Sequence, residues 1–338
     1  MNSLERVHNR LQGFAVDRPP NFDIMMTFAA HHAGHRLREY YLDHRVLVES
    51  NLKAVSDFDL DIVQAISDPY REAADLGLAV EFPDDGLPVN THPLLATPEH
   101  LQKLTPIHPE DGRRMSDRIA AVESFQTEVG GVIPIMGWVE GALAEAADLR
   151  GMMNLMIDLH DRPEWVKQLL ELLVEIEVEF ARAQVHAGAD IIGLGDAVAS
   201  QISRDMYREF ALPYEQRIFQ AVKKMGAIAR LHICGDTTHL VEDMKSSGAD
   251  IVDLDWMVDL AAVSASFGDH PVLCGNFDPV AVMLRGTEQQ VYEATHACLQ
   301  AGGERCFSMA GCEIPDQTPV ENLHAQSRAL RDFHRSDT

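Results

Sequence analysis

The chain has 338 residues, with 53 acidic against 28 basic side chains and a formal net charge of −25. That excess of carboxylates argues against nucleic acid and anionic membranes as partners, because phosphate binding needs basic patches. Hydrophobic residues make up 46% of the chain, ample for a buried core, yet no apolar run approaches the ~18 residues of a membrane span. Met1 to Arg10 is polar and charged, without the apolar stretch of a secretory signal. The expectation is a soluble, cytoplasmic protein of one domain spanning residues 1–338.

From residue 20 onward, short apolar runs alternate with helical patterns. Eight runs read as strands: Asp23–Phe28, Asp61–Ile66, Val132–Trp138, Asp190–Leu194, Ala229–Ile233, Asp250–Asp255, Pro271–Gly275 and Cys306–Met309. The clearest helix runs from Pro163 to Ala187, with proline in the first turn and Gly188 as its stop. Ser203–Gly226, Asp278–Gly302 and Thr318–Phe333 read as further capped helices. Gly-Ala-Asp recurs at 188–190 and 248–250, each time where a helix ends and a strand opens. Eight strands with intervening helices predict an α/β protein, a (β/α)8 TIM barrel, with extra N-terminal helices and an insertion after strand two at about residues 68–131.

In such a barrel, functional groups sit at the C-terminal ends of the strands. The polar residues expected there are His31, His32, His35, Asp68, Glu140, Asp196, His232, Cys234, Asp255, Asn276, Asp278, Cys312 and Glu313. His232 and Cys234 are two apart, so on a strand they face the same side. Cys312 follows strand eight and can meet them at the barrel mouth. One imidazole and two thiolates make a His/Cys/Cys zinc site with a fourth position open, the arrangement of catalytic rather than structural zinc. Of the five cysteines, Cys274, Cys298 and Cys306 read as packing residues, and the odd count gives no disulfide framework. Glu140 is the candidate for a fourth ligand or an acid–base group. Asp196 and Asp255 are candidates for orienting His232, with helix capping as the plainer role. For Asp278 a helix N-cap is expected. Trp138 and Trp256, near strand ends, would pack in the core or floor a flat ligand.

Ser67-Asp68-Pro69, Gly188-Ala-Asp-Ile191, His232-Ile-Cys-Gly235, Asp253-Leu-Asp-Trp256, Gly275-Asn-Phe-Asp-Pro279 and Ala310-Gly-Cys-Glu-Ile-Pro315 together resemble the uroporphyrinogen decarboxylase superfamily. The likeness runs from about Arg18-Pro-Pro20 to the C-terminal helix, and the superfamily folds as a (β/α)8 barrel. The His-x-Cys…Cys pattern is similar to its zinc-dependent corrinoid methyltransferase branch, which includes methylcobamide:coenzyme M methyltransferases. That likeness implies Zn²⁺ on His232, Cys234 and Cys312, and a corrinoid or methylcobalamin supplied free or by a partner corrinoid protein. It also implies a small methyl acceptor or donor: a thiol, a folate or a methoxylated compound. His31, His35, Asp68, Asp196, Asp255 and Asn276 become candidates for the substrate pocket.

Two other functions share the fold. A cofactor-free decarboxylase would use Asp68, which matches the decarboxylase's catalytic aspartate. Its first barrel loop, however, carries two arginines for substrate carboxylates, where this chain has His31 and His35 in His31-His32-Ala33-Gly34-His35. Arg36 and Arg38 stand nearby. A non-catalytic zinc or corrinoid-docking module is the third reading.

Overall fold

The computed structural model describes residues 1–333; the last five residues of the expected domain lie outside the described residues. Its centre is a parallel sheet of β1 (Val63–Gln64), β4 (Ile135–Glu140), β5 (Ile191–Gly195), β6 (Ile228–His232), β7 (Ile251–Asp253) and β8 (Val272–Cys274), adjacent in that order. A separate antiparallel hairpin pairs β2 (Val80–Glu81) with β3 (Val89–Asn90). It lies within the insertion expected after the second barrel strand.

Two short segments lie between the edge strands β8 and β1. Phe307 N–H donates to Leu273 O at 2.9 Å, and Phe22 N–H donates to Ser308 O at 2.8 Å. Asp61 N–H, just ahead of β1, donates to Asn21 O at 2.9 Å. The first and eighth barrel positions are thus isolated parallel bridges at Asn21–Ser308, Cys274–Phe307 and Phe277–Ala310 rather than ladders. The expected strand Asp23–Phe28 is not formed; a helix occupies Met26–His32. A short apolar run carries no period long enough to separate strand from helix, and here Phe28, Ala29 and Ala30 bury as neighbours on a helix.

The long helix Pro163–Ala187 forms as expected and stops at Gly188, whose φ of 116° is left-handed. The expected helix Ser203–Gly226 divides into Arg204–Phe210 and Leu212–Lys224 at Ala211. Pro213 lacks an N–H, which a helix tolerates only in its first turn, so the pattern breaks at Ala211 and a new helix opens at Leu212. Asp278–Gly302 likewise divides into a π-helical turn, Pro279–Leu284, and the helix Glu288–Gly302, which Thr287 caps. At the N-terminal end of the barrel, the helix Ser3–Leu11 places Arg6 on Asp61 at 2.6 Å.

Two apolar layers flank the strands. The barrel interior is filled by Phe22, Ile62, Met136, Ile191, Val272 and Phe307, among others. A larger layer joins the outer faces of the strands to the surrounding helices. Gly193 on β5 makes space inside: a Cβ there would come within 2.3 Å of the Trp138 ring. The indole therefore lies flat over β5, below the mouth. No helix among the described residues is long and apolar enough to cross a membrane.

Candidate metal centre

Strand β6 ends at His232, the chain turns, and Cys234 follows on the same side. Cys312 comes from the loop after the Phe277–Ala310 bridge. Their donor atoms converge. His232 Nε2 lies 3.0 Å from Cys234 Sγ, the two sulfurs are 3.3 Å apart, and Cys312 Sγ is 3.9 Å from Nε2. Tetrahedral zinc, with Zn–S of about 2.3 Å and Zn–N of about 2.0 Å, places such atoms about 3.5–3.8 Å from one another. This is the one group of three or more His, Cys, Asp or Glu side chains among the described residues whose donor atoms gather closely enough for an ion. The donor set fits zinc, and each separation lies within about 0.5 Å of the tetrahedral value.

His232 is prepared for that role by the neighbouring strand. In the β6–β7 register it stands beside Asp253, and its Nδ1–H donates to Asp253 Oδ2 at 2.9 Å. Nε2 is thereby left to face the two sulfurs, free to bind a metal. Asp253 is itself buried and bonded by Arg230 Nε at 3.0 Å. Burial opposes its charge, but Arg230 and His232 hold its carboxyl below the ordinary range. Without a metal, a hydrogen bond from Cys234 draws the Cys312 thiol down to about 4 against burial, with His232 adding to the effect. His232 is raised despite burial, chiefly by the sulfur of Cys234 and the Asp253 bond. The trio thus favours negative charge on the Cys312 sulfur, while the bond to Cys312 and burial push the Cys234 thiol up.

The three side chains face a cavity of about 250 Å³, whose wall includes Ile24, Ile66, Asp68, Trp138, Glu140 and Glu313. Trp138 is tilted at 59° to His232 with ring centroids 6.1 Å apart. Glu140 ends β4; its Oε1 accepts from Arg71 Nη2 at 2.8 Å and Trp138 Nε1 at 3.3 Å. Burial, together with the nearby Glu72, raises its carboxyl to about 7 against the pull of Arg71. Asp68 accepts from Arg114 Nη2 at 2.5 Å. Arg71 and Arg114, both from the insertion, were not anticipated as partners of this site.

Other expected pocket residues stand elsewhere. His31 pairs with Asp316 at 2.6 Å and His35 with Glu49 at 3.2 Å; neither lines the cavity, because the segment that carries them is a helix and the turn after it. His32 pairs with Asp57 at 2.7 Å. Arg36 and Arg38 are exposed beside Asp84. Asp196 is buried just past β5, packed against Gly141. Asp255 accepts from Gly235 N–H at 2.9 Å and Met257 N–H at 3.1 Å. Asn276 Nδ2 donates to Asp255 O and Val258 O at 3.0 and 2.7 Å. These two residues shape the loops that carry Cys234 and Trp256. Asp278 caps its helical turn through Val280 and Ala281. Trp256 is 48% exposed, so it is not core packing. Asp253, not Asp196 or Asp255, orients His232. Its signal in the sequence was faint: an acidic residue on the strand after the one bearing His-x-Cys.

The uroporphyrinogen decarboxylase (URO-D) family model matches residues 2–333. The chain belongs to this family. A uroporphyrinogen decarboxylase from Nostoc punctiforme is 30% identical over 92% of this chain and 91% of its own length. The methylcobamide:CoM methyltransferase MtbA of Methanosarcina acetivorans is 30% identical over 70% of this chain and 68% of its own. A methyltransferase structure from Methanosarcina mazei superposes with a TM-score of 0.90 over 99% of both chains at 22% identity, which supports the barrel fold. The family contains both decarboxylating and methyl-transferring relatives, so the site must separate them.

Proposed function

We propose that this URO-D family member is a zinc-dependent methyltransferase. It would move a methyl group between the cobalt of a corrinoid, free or on a partner protein, and a small acceptor or donor. The observation that carries this reading is the convergence of His232 Nε2, Cys234 Sγ and Cys312 Sγ within 3.9 Å of one another on a cavity wall. The methylcobamide:CoM methyltransferase relative supports the class of reaction. Zinc held by these three residues would supply an open Lewis-acid position at which a thiol loses its proton near neutral pH.

The chain's own residues do the rest. Asp253 fixes the His232 tautomer through Nδ1. Glu140, poised near 7 in the same cavity, receives the proton given up by the thiol. Ile24, Ile66 and Trp138 exclude water from the reacting atoms. In the forward direction the S–H bond breaks and an S–CH3 bond forms. The corrinoid would supply the methyl group, keeping the electron pair of its cobalt–carbon bond, or would accept a methyl group from a methylated donor in the reverse direction.

One observation favours a second reading, a metal-free decarboxylase: Asp68 does line the cavity. Its carboxylate is bound to Arg114, however, and the cavity wall offers no arginine or lysine among the described residues for the carboxylates of a porphyrinogen. The deciding experiment is metal analysis of the purified chain and of Cys234→Ala, with methyl transfer from methylcobalamin to thiols. Stoichiometric zinc in the parent and its loss in the variant are expected. Zinc retained at full stoichiometry in Cys234→Ala would sink the ligand assignment. Zinc binding without turnover on any acceptor would leave only the docking-module reading.

A further inference from the structure

Behind Glu140, away from the cavity, lies a group of buried acids that the chemistry described so far does not use. Glu72 belongs to the helix Arg71–Asp75, Glu145 and Asp148 to the helix Ala142–Arg150 that follows Glu140, and Glu177 to the long helix Pro163–Ala187. Glu72, Glu145 and Glu177 are each 0% exposed. Both carboxyl oxygens of Glu145 and of Glu177, and Oε2 of Glu72, have no hydrogen-bond partner in the chain. The cation whose field they share is Arg71, and its Nη2 already serves Glu140 at 2.8 Å and Glu72 at 3.5 Å. A buried carboxyl without a partner holds its proton and meets water or another acid. Burial raises Glu145 well above the ordinary range, and Glu72, Asp148 and Glu140 add to it. Glu177 is raised in the same way by burial, then Glu72, Glu145 and Glu140. The acids are thus close enough to sense one another.

The group runs from the cavity to solvent. Glu140 faces the cavity, and its backbone N–H donates to Glu72 Oε1 at 3.3 Å. Glu145 stands in the first turn of the helix that Glu140 leads into. Asp148, three residues on, shares its face and is partly exposed. Burial, with Glu140 and Glu72 adding to it, raises Asp148 to about 8, so it exchanges protons with water near neutral pH. A cavity of about 250 Å³ is too small for a corrin ring. The methyl group must therefore be delivered at the opening, which covers the direct way out for a proton while transfer proceeds. We propose that Glu145 and Asp148 relay to bulk water the proton that Glu140 takes from the thiol, with Glu72 beside them completing the row. This rests on the methyl-transfer reading and adds the proton's exit to it. For each methyl group moved, the S–H proton passes to Glu140, protons shift between carboxyls through intervening water, and Asp148 releases one. No acid in the row changes its state over a turnover. Glu145 acts through Glu140 and does not touch the substrate.

Glu145→Gln and Asp148→Asn test it, since each amide matches a neutral carboxyl in size but cannot pass a proton on. The infrared C=O band of protonated carboxyls, recorded for the full chain at neutral pH without substrate, should lose intensity in Glu145→Gln. With the zinc-loaded chain, methylcobalamin and 2-mercaptoethanol, both variants should lose about tenfold in kcat. Zinc content and KM for the thiol should stay at the parent's values, and the solvent deuterium isotope effect on kcat should grow. Glu145→Asp, which keeps an exchangeable proton, should recover part of the rate. An unchanged infrared band, or a kcat and isotope effect equal to the parent's in both variants, overturns the relay while methyl transfer stands. A slower rate with an unchanged isotope effect gives these acids a structural role and also overturns it. If the parent moves no methyl group to any thiol, the methyl-transfer reading falls and takes the relay with it.

Discussion

Replacing Asp253 by Asn separates what this residue does for the fold from what it does for the metal. Asparagine keeps an oxygen for the His232 Nδ1–H but removes the charge, and Asp253 faces two buried cations in waiting. Arg230 is 0% exposed and bonds the carboxylate through Nε at 3.0 Å; His232 bonds it at 2.9 Å. Breaking a buried ion pair from one side destabilises a protein by about 3–5 kcal/mol, because the remaining charge has no partner. Loss of the residue that orients a metal-binding histidine weakens metal affinity about 10–100-fold, equivalent to about 1.4–2.7 kcal/mol. The retained oxygen places the expectation at the lower end of that range. Arg230→Met/Asp253→Asn removes both charges from the barrel interior, where Arg230 already touches the sulfurs of Met136 and Met309. The double variant should regain most of the stability in urea melts, yet still bind zinc about tenfold more weakly in competition with a chromophoric chelator. Zinc affinity restored together with stability would refute the reasoning, since Asp253 would then act only through the fold.

Two further outcomes follow from buried acids. Glu140 titrates near 7 because burial outweighs Arg71, so its proton-accepting form predominates above that pH; kcat/KM for methyl transfer to a thiol should rise through about 7, and Glu140→Gln should lose that limb. A limb unchanged in the variant would assign the proton to another group. Asp23 is fully buried, and burial raises its carboxyl from 3.8 to about 6 despite the bond from Ala310 N–H. Since the folded state holds this proton more tightly, its contribution to stability is present below pH ~4 and is lost as pH rises through ~6. Asp23→Asn should therefore gain about 2 kcal/mol relative to the parent between pH 4 and pH 7 in urea melts. A parallel pH dependence of the two proteins would show that Asp23 is not held in its protonated form.

What was legible in the sequence was set by local periodicity, and what was not was set by register. His232 and Cys234 could be paired from their spacing alone, because strand alternation puts residues two apart on one side. Cys312 could be placed with them because barrel connectivity brings the ends of strands five and eight to one mouth. The partner of His232 depended on how β7 slides against β6, which no local pattern records. By alternation Asp253 and Asp255 point alike, but the strand ends at Asp253, and Asp255, already in the turn, binds backbone N–H groups instead. Asp196 fails for a similar reason: β5 ends at Gly195, and the turned chain tucks the carboxylate against Gly141 rather than aiming it at His232. His31 and His35 were placed at a strand end that the fold replaces with a helix.

The contribution of the insertion was the least legible, and it changes the chemistry most. Arg71 and Arg114 come from helices within it, reach Glu140 and Asp68 over separations of 69 and 46 residues, and stay outside the cavity wall. Counting arginines near the mouth in the sequence therefore overstates the positive charge that a ligand meets. Each guanidinium spends its charge on a carboxylate whose other surface forms the wall. An inserted segment can in this way stabilise acids at a barrel mouth without making that mouth attractive to anions.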